Sequence, residues 1–441
     1  MRIEQLPGRR IAVLGYGREG AAATAMLQAR GLTPTVWVES GETPDDVPTR
    51  SGPFDQGLLE FDVLIRSPGI PVLHPALARF RGSGRPVVNP TSIWLAERPE
   101  VPVLAVTGSK GKSTTASMLA HVLGSDGRRV LLAGNIGAPA IAHLDDDIDV
   151  AVLELSSYQL ADLEGALSLG LMTRLFPEHG DWHGGVEHYY ASKLRMVELL
   201  AGKPLLVNAA DAVLVEATRA APNRLLVNQP PYCHRSGNGL IRAGSVWLHR
   251  SDWPLLGRHN LDNAALVVEA ALQMRLSENR VRTALASFRP LPHRLEVVAS
   301  RGHQRWINDS IATTPHATLA ALQAFEDRPV VLIAGGYVRP ADWSVVVNHC
   351  RLRPLAGLVL MPDSGPRIEQ LFAQTSRPAA ACIRHAADLD EAVATAGALA
   401  ADQACVLLSP GAASFPQFRN FEQRGEHFRR AVKDYSERST A

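Results

Sequence analysis

The sequence predicts an α/β protein of three domains whose sheets are mainly parallel. A strand, a glycine turn and an alanine-rich helix follow one another from residue 9, and the same order returns from residue 101. After a proline-rich segment at 288–293, apolar strands again alternate with helical segments. Strands that alternate with helices form parallel sheets covered by helices. We therefore expect domains at 1–97, 98–290 and 291–441.

The first domain begins with an apolar strand that leads into the glycine turn GYGREG at 15–20. A second strand over 34–38 ends at Glu39, and a further apolar strand ends in the turn SPG at 67–69. A glycine turn followed about 20 residues later by an acidic residue is the pattern of a dinucleotide site, where the glycines allow a tight turn. Many α/β domains use the same turn only for packing, so both interpretations stay open.

The second domain opens with the most informative stretch, VPVLAVTGSKGKSTTASMLAHVLGS at 101–125. A β-branched run ends in a glycine loop that carries Lys112, Ser113 and Thr114, and apolar residues at helical spacing follow. Backbone N–H groups and a helix N-terminus bind polyphosphate in such a loop, the lysine reaches the terminal phosphates, and a hydroxyl ligates Mg²⁺. A generic phosphate loop has glycine six residues before the lysine, where this chain has Val106. The stretch predicts nucleotide binding, with one departure.

Further side chains are candidates for cation binding. The strand at 150–155 presents Glu154, and a carboxylate at the carboxyl end of a parallel strand can hold a hard cation. The segment at 175–196 contains Glu178, His179 and Lys193. Only five of the 45 basic residues are lysines, and lysine, unlike arginine, can lose its proton and act as an amine. Both candidates also have a purely structural interpretation. Glu154 would be a solvated residue at a strand end, and the segment at 175–196 would be a polar loop followed by an amphipathic helix. We favour this structural interpretation for three residues of that segment: His183, Glu187 and His188.

Composition limits the remaining possibilities. The net charge of +1 gives no reason to expect a nucleic-acid or membrane partner, and no run of about 18 apolar residues predicts a membrane helix. The four cysteines lack metal-like spacing and indicate reduced thiols. We expect a cytoplasmic protein.

Together these motifs resemble the Mur ligases, the ATP-dependent enzymes that build the peptidoglycan stem peptide. The resemblance spans essentially the whole chain, in the order TGSKGKST, GNIG, ELSSYQ, EHGDWH, GRHNLDN, HRLE and NDS. The closing SPGAASFPQFRNFEQRGEHF and the short first domain with GYGREG and SPGI look most like the glutamate-adding, MurD-type branch. In that branch the first domain binds UDP rather than NAD.

The resemblance implies a reaction. The γ-phosphate of ATP passes to the carboxylate of UDP-N-acetylmuramoyl-L-alanine, and the amino group of glutamate attacks the acyl phosphate to form an amide. It also implies ATP and two Mg²⁺ sites as cofactors, and a monomer. Phosphoryl transfer of this kind depends above all on positioning and charge neutralisation.

The resemblance also implies roles for individual residues. Four positions match catalytic residues: Lys112, Glu154, His179 and Lys193, the last being the family's lysine that carries a CO₂-derived carbamate. The implied Mg²⁺ ligands are Ser113, Thr114, Glu154, His179 and carbamylated Lys193. The implied ATP-binding residues are Gly108, Ser109, Lys110, Gly111, Lys112, Ser113, Thr114, Asn260, Asn263, Arg294 and Asp309. The implied contacts to the UDP substrate are Gly15, Tyr16, Gly17, Arg18, Glu39, Ser67, Pro68, Gly69, Asn135, Ser157 and Gln159. The implied glutamate-binding residues are Thr313, Arg339, Ser414 and Phe421.

Three positions depart from the usual MurD-type pattern. Ile311 and Arg339 stand where that branch usually has lysine, around the incoming amino acid. This favours a variant subgroup that adds L-glutamate, because charged partners orient a carboxylate; D-glutamate with drift in an arginine-rich chain is the alternative. Lys110 stands where most of the family has asparagine.

Three other classes of protein remain as alternatives. A folylpolyglutamate-type ligase would share the phosphate loop but not the GYGREG domain. A dinucleotide oxidoreductase would explain that domain and leave the phosphate loop and Lys193 without a role. A non-catalytic UDP-sugar binder would bind nucleotide without releasing phosphate.

Overall fold

A computed structural model describes residues 1–41, 43–178, 180–237, 239–289, 291–325, 328–337, 342–374 and 377–438. The chain divides into two compact units. The first is Met1–Trp253 with His259–Phe288, and the second is Pro254–Arg258 with Arg289–Ala441.

The first unit begins with a five-stranded parallel sheet. Its strands are β1 (Ile11–Leu14), β2 (Thr35–Val38), β3 (Thr49–Ser51), β4 (Val63–Arg66) and β5 (Val87–Val88), and its helices are α1 (Arg18–Ala29), α2 (Pro75–Gly82) and α3 (Pro90–Glu97). The strand order is β3-β2-β1-β4-β5, so β2 and β3 lie on one side of β1 whereas β4 and β5 lie on the other. Open α/β sheets bind ligands outside the carboxyl ends of the strands at such a switch point. The GYGREG and SPG turns, which follow β1 and β4, lie there.

A second parallel sheet of six strands follows in the same unit. Its strands are β6 (Val103–Thr107), β7 (Val130–Gly134), β8 (Val150–Glu154), β9 (Leu169–Met172), β10 (Leu205–Asn208) and β11 (Arg224–Val227). The accompanying helices are α4 (Lys112–Gly124), α5 (Ser157–Leu160), α6 (Gly180–His183), α7 (Val186–Leu200) and α8 (Ala212–Ala217). The order is β11-β10-β9-β6-β8-β7, so β6 lies between β9 and β8. The segments that follow these three strands therefore meet at one edge.

A small antiparallel sheet and two helices complete the first unit. The strands are β12 (His234–Ser236), β13 (Gly239–Arg242) and β14 (Ser245–His249), and the helices are α9 (Arg258–Gln273) and α10 (Glu278–Ser287). This sheet was not predicted from the sequence, because its strands are short and lack a continuous apolar run.

The second unit contains a six-stranded sheet in the order β15-β16-β20-β17-β18-β19. The strands are β15 (Glu296–Arg301), β16 (Gln304–Asn308), β17 (Val330–Gly336), β18 (Gly357–Asp363), β19 (Ile383–His385) and β20 (Cys405–Leu408). The helices are α11 (Pro315–Leu322), α12 (Ser344–Leu352), α13 (Gly365–Ala373), α14 (Leu389–Leu399) and α15 (Phe421–Arg438). Only the β15–β16 pair is antiparallel within this sheet.

The predicted fold class is confirmed: three sheets are wholly or mainly parallel and are covered by helices. The strands predicted at 34–38 and 150–155 are present as β2 and β8, each with one end that differs by one residue. Apolar side chains of the strands fill the cores on both faces of the sheets. No helix among the described residues is long and apolar enough to cross a bilayer.

Candidate active site

The glycine loop between β6 and α4 adopts a backbone that only glycine permits. Gly108 has φ +147°, and a Cβ atom there would lie 2.0 Å from Thr173 Oγ1. Gly111 has φ +93° and is the N-cap residue of α4. Because both positions are strained or blocked for any side chain, the loop approaches its surroundings as bare backbone, as polyphosphate binding requires.

The loop is fastened to the segment that follows β9. The Ser109 N–H donates to Arg174 O at 2.7 Å, and its hydroxyl donates to Phe176 O at 2.8 Å. Thr173 Oγ1 donates to the carbonyl of Lys110 at 2.7 Å. The amide and hydroxyl of Ser109, a residue expected to contact ATP, are both bonded within the protein and help to shape the loop.

Two lysine amines converge on one carbonyl of the loop. Lys112 Nζ donates to Gly108 O at 3.0 Å, and Lys193 Nζ donates to the same oxygen at 2.8 Å. Lys193 lies on α7 and is only 1% exposed. Burial, reinforced by the charge of Lys112, holds the pKa of Lys193 well below its usual value. The buried amine therefore favours its neutral form, in which it is a nucleophile.

Glu154, at the end of β8, has a side-chain oxygen that fits a cation. The residue is 1% exposed, and Oε1 accepts a hydrogen bond from Asn135 Nδ2 at 2.9 Å. Oε2 is buried and has no hydrogen-bond partner among the described residues. A buried carboxylate oxygen is costly unless it is paired or ligates a metal, so this oxygen fits Mg²⁺.

The other expected Mg²⁺ ligands are only partly described. Ser113, in the first turn of α4, is half-buried, whereas Thr114 is buried, which favours the Ser113 hydroxyl as the accessible one. His179 lies outside the described residues. Within the described part of the chain, no three His, Cys, Asp or Glu side chains are grouped as a metal site.

The asparagines of the GRHNLDN motif lie beside the glycine loop. The side-chain oxygen of Asn263 is 2.8 Å from the point where a Cβ of Gly111 would lie. Asn263 Nδ2 donates to Asn260 Oδ1 at 3.3 Å. Asn263 therefore lies beside a loop that is about 150 positions earlier in the chain, and Asn260 is bonded to Asn263.

The two turns of the first sheet contact each other at the switch point. Ser67 Oγ donates to Gly15 O at 2.9 Å. A Cβ at Gly20 would lie 2.0 Å from Gly15 O, so the third glycine of GYGREG is needed for this packing. Tyr16 is half-buried against the core, and Gly17 is the N-cap residue of α1.

Glu39 and the remaining turn residues accept hydrogen bonds from other parts of the first unit. Glu39 accepts a hydrogen bond from the Phe54 N–H at 3.2 Å. The carbonyl of Pro68 accepts from Arg66, and the carbonyl of Gly69 accepts from Trp182 Nε1 at 2.9 Å.

The predicted UDP-binding turn is joined directly to the Glu154 region. The Arg18 guanidinium donates to Asn135 O and Gly137 O, at 3.0 Å each. Glu19 accepts from Gln159 Nε2 at 2.7 Å. Since Asn135 also holds Glu154, the GYGREG turn, the GNIG loop and the ELSSYQ segment form one connected surface.

Sequence reasoning missed Arg66, the last residue of β4. Its guanidinium is fully buried and forms a bidentate pair with Asp162 at 2.7 and 2.6 Å. It also donates to the carbonyls of Ser67 and Ile70 on one side and of Tyr158 on the other. Arg66 thus fastens the SPG turn to the ELSSYQ segment. An arginine at the end of an otherwise apolar strand was the available signal.

His183, which was grouped with a polar loop and the amphipathic helix that follows it, is the last residue of helix α6 and is buried. The ring is 3% exposed, and Nε2 lies 2.9 Å from Ser157 Oγ. It packs against the rings of Tyr158, Trp182 and Tyr189. The hydroxyl of Ser157, expected to contact the UDP substrate, is therefore bonded to a buried histidine.

In the second unit, Asp309 follows β16 and is buried. Its carboxyl accepts from Ser409 Oγ at 2.8 Å and from the Leu295 N–H at 3.2 Å. Burial raises the pKa of Asp309 to about 7. Arg294 Nε is buried and has no hydrogen-bond partner among the described residues. Both residues were expected to contact ATP.

A buried arginine holds two loops of the second unit together. Arg424 on α15 donates to Ser310 Oγ at 3.0 Å, to Ser310 O at 2.8 Å and to Ala412 O at 3.1 Å. Ser310 Oγ in turn donates to Phe421 O at 2.8 Å. The NDS turn and the SPGAAS loop are therefore fixed relative to each other, by contacts that no local sequence pattern indicates.

The expected glutamate-binding residues differ in exposure. Thr313 is exposed, Ser414 is buried and Phe421 is half-buried. Arg339 lies outside the described residues.

Comparisons with protein families match most of the chain. Residues 106–271 match the Mur ligase middle domain, and residues 293–411 match the Mur ligase glutamate ligase domain. A UDP-N-acetylmuramoyl-L-alanine--L-glutamate ligase of Xanthomonas axonopodis pv. citri is 37% identical, over 97% of this chain and 96% of its own. An enzyme of the same name from a Micromonospora species is 38% identical, over 98% of each chain.

Solved structures share the fold at low identity. UDP-N-acetylmuramate-alanine ligase MurC from Thermotoga maritima has a TM-score of 0.62 and 17% identity, and the match covers 98% of this chain and all of that one. MurF ligase from the same organism, in complex with ADP, has a TM-score of 0.60 and 14% identity, covering 97% and 95%.

Proposed function

The chain belongs to the Mur ligase family, and from that premise we propose that it adds L-glutamate to UDP-N-acetylmuramoyl-L-alanine at the expense of ATP. As a member of this family it is an ATP-dependent amide ligase. Relatives 36–38% identical over nearly the full chain are named for this substrate and this amino acid. The reaction belongs to peptidoglycan precursor synthesis, which we assign to the cytoplasm.

One observation carries the catalytic part of the proposal. The amines of Lys112 and Lys193 share the carbonyl of Gly108, and the buried carboxylate of Glu154 keeps one oxygen without a protein partner. A lysine cation, Lys112, together with side chains that can bind Mg²⁺, is what transfer of a phosphoryl group at a glycine loop requires, because that reaction depends on positioning and charge neutralisation. Lys112 is the residue that would hold the β- and γ-phosphates.

Lys193 acts in this proposal as a carbamate. Its neutral amine attacks CO₂, the new N–C bond forms, and the nitrogen releases a proton to leave an anionic carboxylate on a long stem. Arginine could not undergo this reaction, and the chain has lysine here despite its strong preference for arginine. Mg²⁺ would supply charge neutralisation at the transferred phosphate, and its protein ligands would be Ser113, Glu154, His179 and the carbamate of Lys193.

The UDP substrate is assigned to the connected surface of the first unit. The switch point between β1 and β4 supplies the GYGREG and SPG turns, and Arg18 ties them to the loop that holds Glu154. A substrate bound at the turns would extend its carboxylate towards the glycine loop. In this account the acyl phosphate forms there, and the amine of glutamate attacks it.

The preference for L-glutamate rests on the names of the relatives and on Ile311, which removes a positive charge expected in enzymes for D-glutamate. Ile311 lies next to the Arg424-fixed Ser310, so the change falls in a rigid turn. Addition of D-glutamate is the competing function.

The test is phosphate release from ATP and Mg²⁺ with UDP-N-acetylmuramoyl-L-alanine and one glutamate enantiomer at a time. We expect release with L-glutamate, with a product heavier by one glutamyl residue, and little with D-glutamate. Equal turnover with both enantiomers would contradict the stereochemical assignment. No turnover with either, while nucleotide still binds, would favour a non-catalytic UDP-sugar binder.

A further inference from the structure

Most of the lysines of this chain lie at the glycine loop. Three of the five lysines, Lys110, Lys112 and Lys193, lie in it or contact it. Lys112 and Lys193 are bonded to the loop's own carbonyl, but Lys110 Nζ is 2.8 Å from Glu178 Oε1. Lys110 is thus the loop lysine whose charge is balanced by a carboxylate.

The backbone of Lys110 is fixed, whereas its side chain has room to move. The carbonyl accepts a hydrogen bond from Thr173 Oγ1, and the neighbouring Ser109 is anchored through its amide and hydroxyl. The Lys110 side chain is 40% exposed. A lysine stem has four rotatable bonds, so the ammonium group can change partners without any movement of the loop.

The ion pair is weak enough to be exchanged. The Lys110 side chain is 40% exposed, so water solvates its ammonium group, and ion pairs with such an exposed partner contribute little to stability. The terminal phosphate of a nucleotide carries more negative charge than one carboxylate and offers more acceptor oxygens. A phosphate within reach would therefore compete successfully for the ammonium group.

The pair also lies close to the buried amine. Lys193 Nζ donates to Gly108 O, in the same loop as Lys110 and two residues before it. An ion pair on the loop that also holds the buried amine is well placed to meet the end of a bound polyphosphate.

We propose that Lys110 exchanges its ammonium group between Glu178 and the terminal phosphate of ATP, so that Glu178 acts as a competing anion at the nucleotide site. The inference rests on the proposed function, because it takes the glycine loop to be the ATP site. It assigns Lys110 a direct phosphate contact, and it makes Glu178 a residue that positions Lys110 and limits nucleotide affinity.

The experiment measures the affinity of the full-length protein for ADP and for a non-hydrolysable ATP analogue by calorimetry. The variants are Lys110→Met, Glu178→Gln and the double variant, with Lys203→Met as a control that removes an exposed lysine elsewhere in the first unit. Thermal unfolding of each variant shows whether it folds like the wild type.

The two single variants are expected to change affinity in opposite directions. Lys110→Met should weaken binding of the ATP analogue by about tenfold, and of ADP by less, because a charge-assisted contact to the terminal phosphate is lost. Glu178→Gln should tighten binding of the analogue several-fold, since the ammonium group no longer has a competing anion. The double variant should bind like Lys110→Met, and Lys203→Met like the wild type.

A purely structural ion pair predicts a different pattern. If Glu178→Gln weakens binding as much as Lys110→Met does, the pair merely holds the loop and the exchange is refuted. If Glu178→Gln tightens binding equally in the presence and absence of Lys110, its effect does not pass through this lysine, and the proposal fails as well. Failure of the wild-type protein to bind either nucleotide would instead refute the proposed function.

Discussion

The buried Arg66 provides a sharp test of how the first two sheets are held together. Its guanidinium is fully buried and makes two charged hydrogen bonds to Asp162, together with bonds to carbonyls of the SPG turn and of Tyr158. Arg66→Met keeps the apolar stem but removes every one of these donors. Asp162 would then be left as a nearly buried carboxylate without its main partner.

The burial of Arg66 and Asp162 determines how much folding stability Arg66→Met should lose. Removing one partner of a buried ion pair costs about 3–5 kcal/mol. The Asp162 side chain is 15% exposed, so water recovers part of this, and we expect the lower end, about 3 kcal/mol. At about 2–4 °C per kcal/mol, the Tm of the first unit should fall by about 6–12 °C.

The assay is thermal unfolding followed by steady-state kinetics, with Arg10→Met as the matched control. Arg10 also forms a two-pronged pair, with Asp62, but both side chains are exposed. Its loss should leave the Tm close to that of the wild type. Because Arg66 holds the SPG turn, Arg66→Met should also raise the KM for the UDP substrate more than that for ATP. Equal Tm values for the two variants would refute the reasoning.

Two further predictions concern single charged groups. Lys193→Ala should abolish turnover, and added short carboxylic acids should restore part of it by replacing the carbamate. Lys112→Ala loses a cation instead, so the same acids should not rescue it. Rescue of neither variant, or of both, would count against the carbamate. Asp309 has a folded-state pKa of about 7 against about 4 when unfolded, so between these pH values the folded state retains a proton that the unfolded state has lost, and stability falls as the pH rises. The free energy of unfolding, measured with urea at several pH values, should fall less steeply with pH in Asp309→Asn than in the wild type. In the exposed Asp434→Asn it should fall as steeply as in the wild type. An unchanged pH dependence in Asp309→Asn would contradict this prediction.

The parts of the molecule that sequence predicted well are those with local patterns. The strand, the glycine loop and helix α4 follow from consecutive residues at 101–125, because apolar periodicity and glycine placement are visible within one window. The same holds for the strand ends that carry Glu154 and Asp309. Parallel strands bring their carboxyl ends to one edge of a sheet, so the meeting of the segments that follow β6, β8 and β9 in the first unit was also predictable.

The parts that sequence missed depend on distant partners. Arg66 and Asp162 are 96 residues apart, and Arg424 and Ser310 are 114 apart, so no local window contains either contact. His183 has a polar neighbourhood in sequence but is buried by aromatic rings and bonded to Ser157. The sheet β12–β14 has short strands of mixed polarity whose pairing comes from hairpin turns rather than from an apolar run.

Activation of the substrate carboxylate by ATP is the central claim, and an oxygen label tests it most directly. UDP-N-acetylmuramoyl-L-alanine labelled with ¹⁸O in both carboxylate oxygens is incubated with the protein, ATP, Mg²⁺ and L-glutamate, and the released phosphate is analysed by mass spectrometry. An acyl phosphate transfers one carboxylate oxygen to phosphorus, so each phosphate released should contain one ¹⁸O atom. Unlabelled phosphate formed together with the amide product would contradict the account.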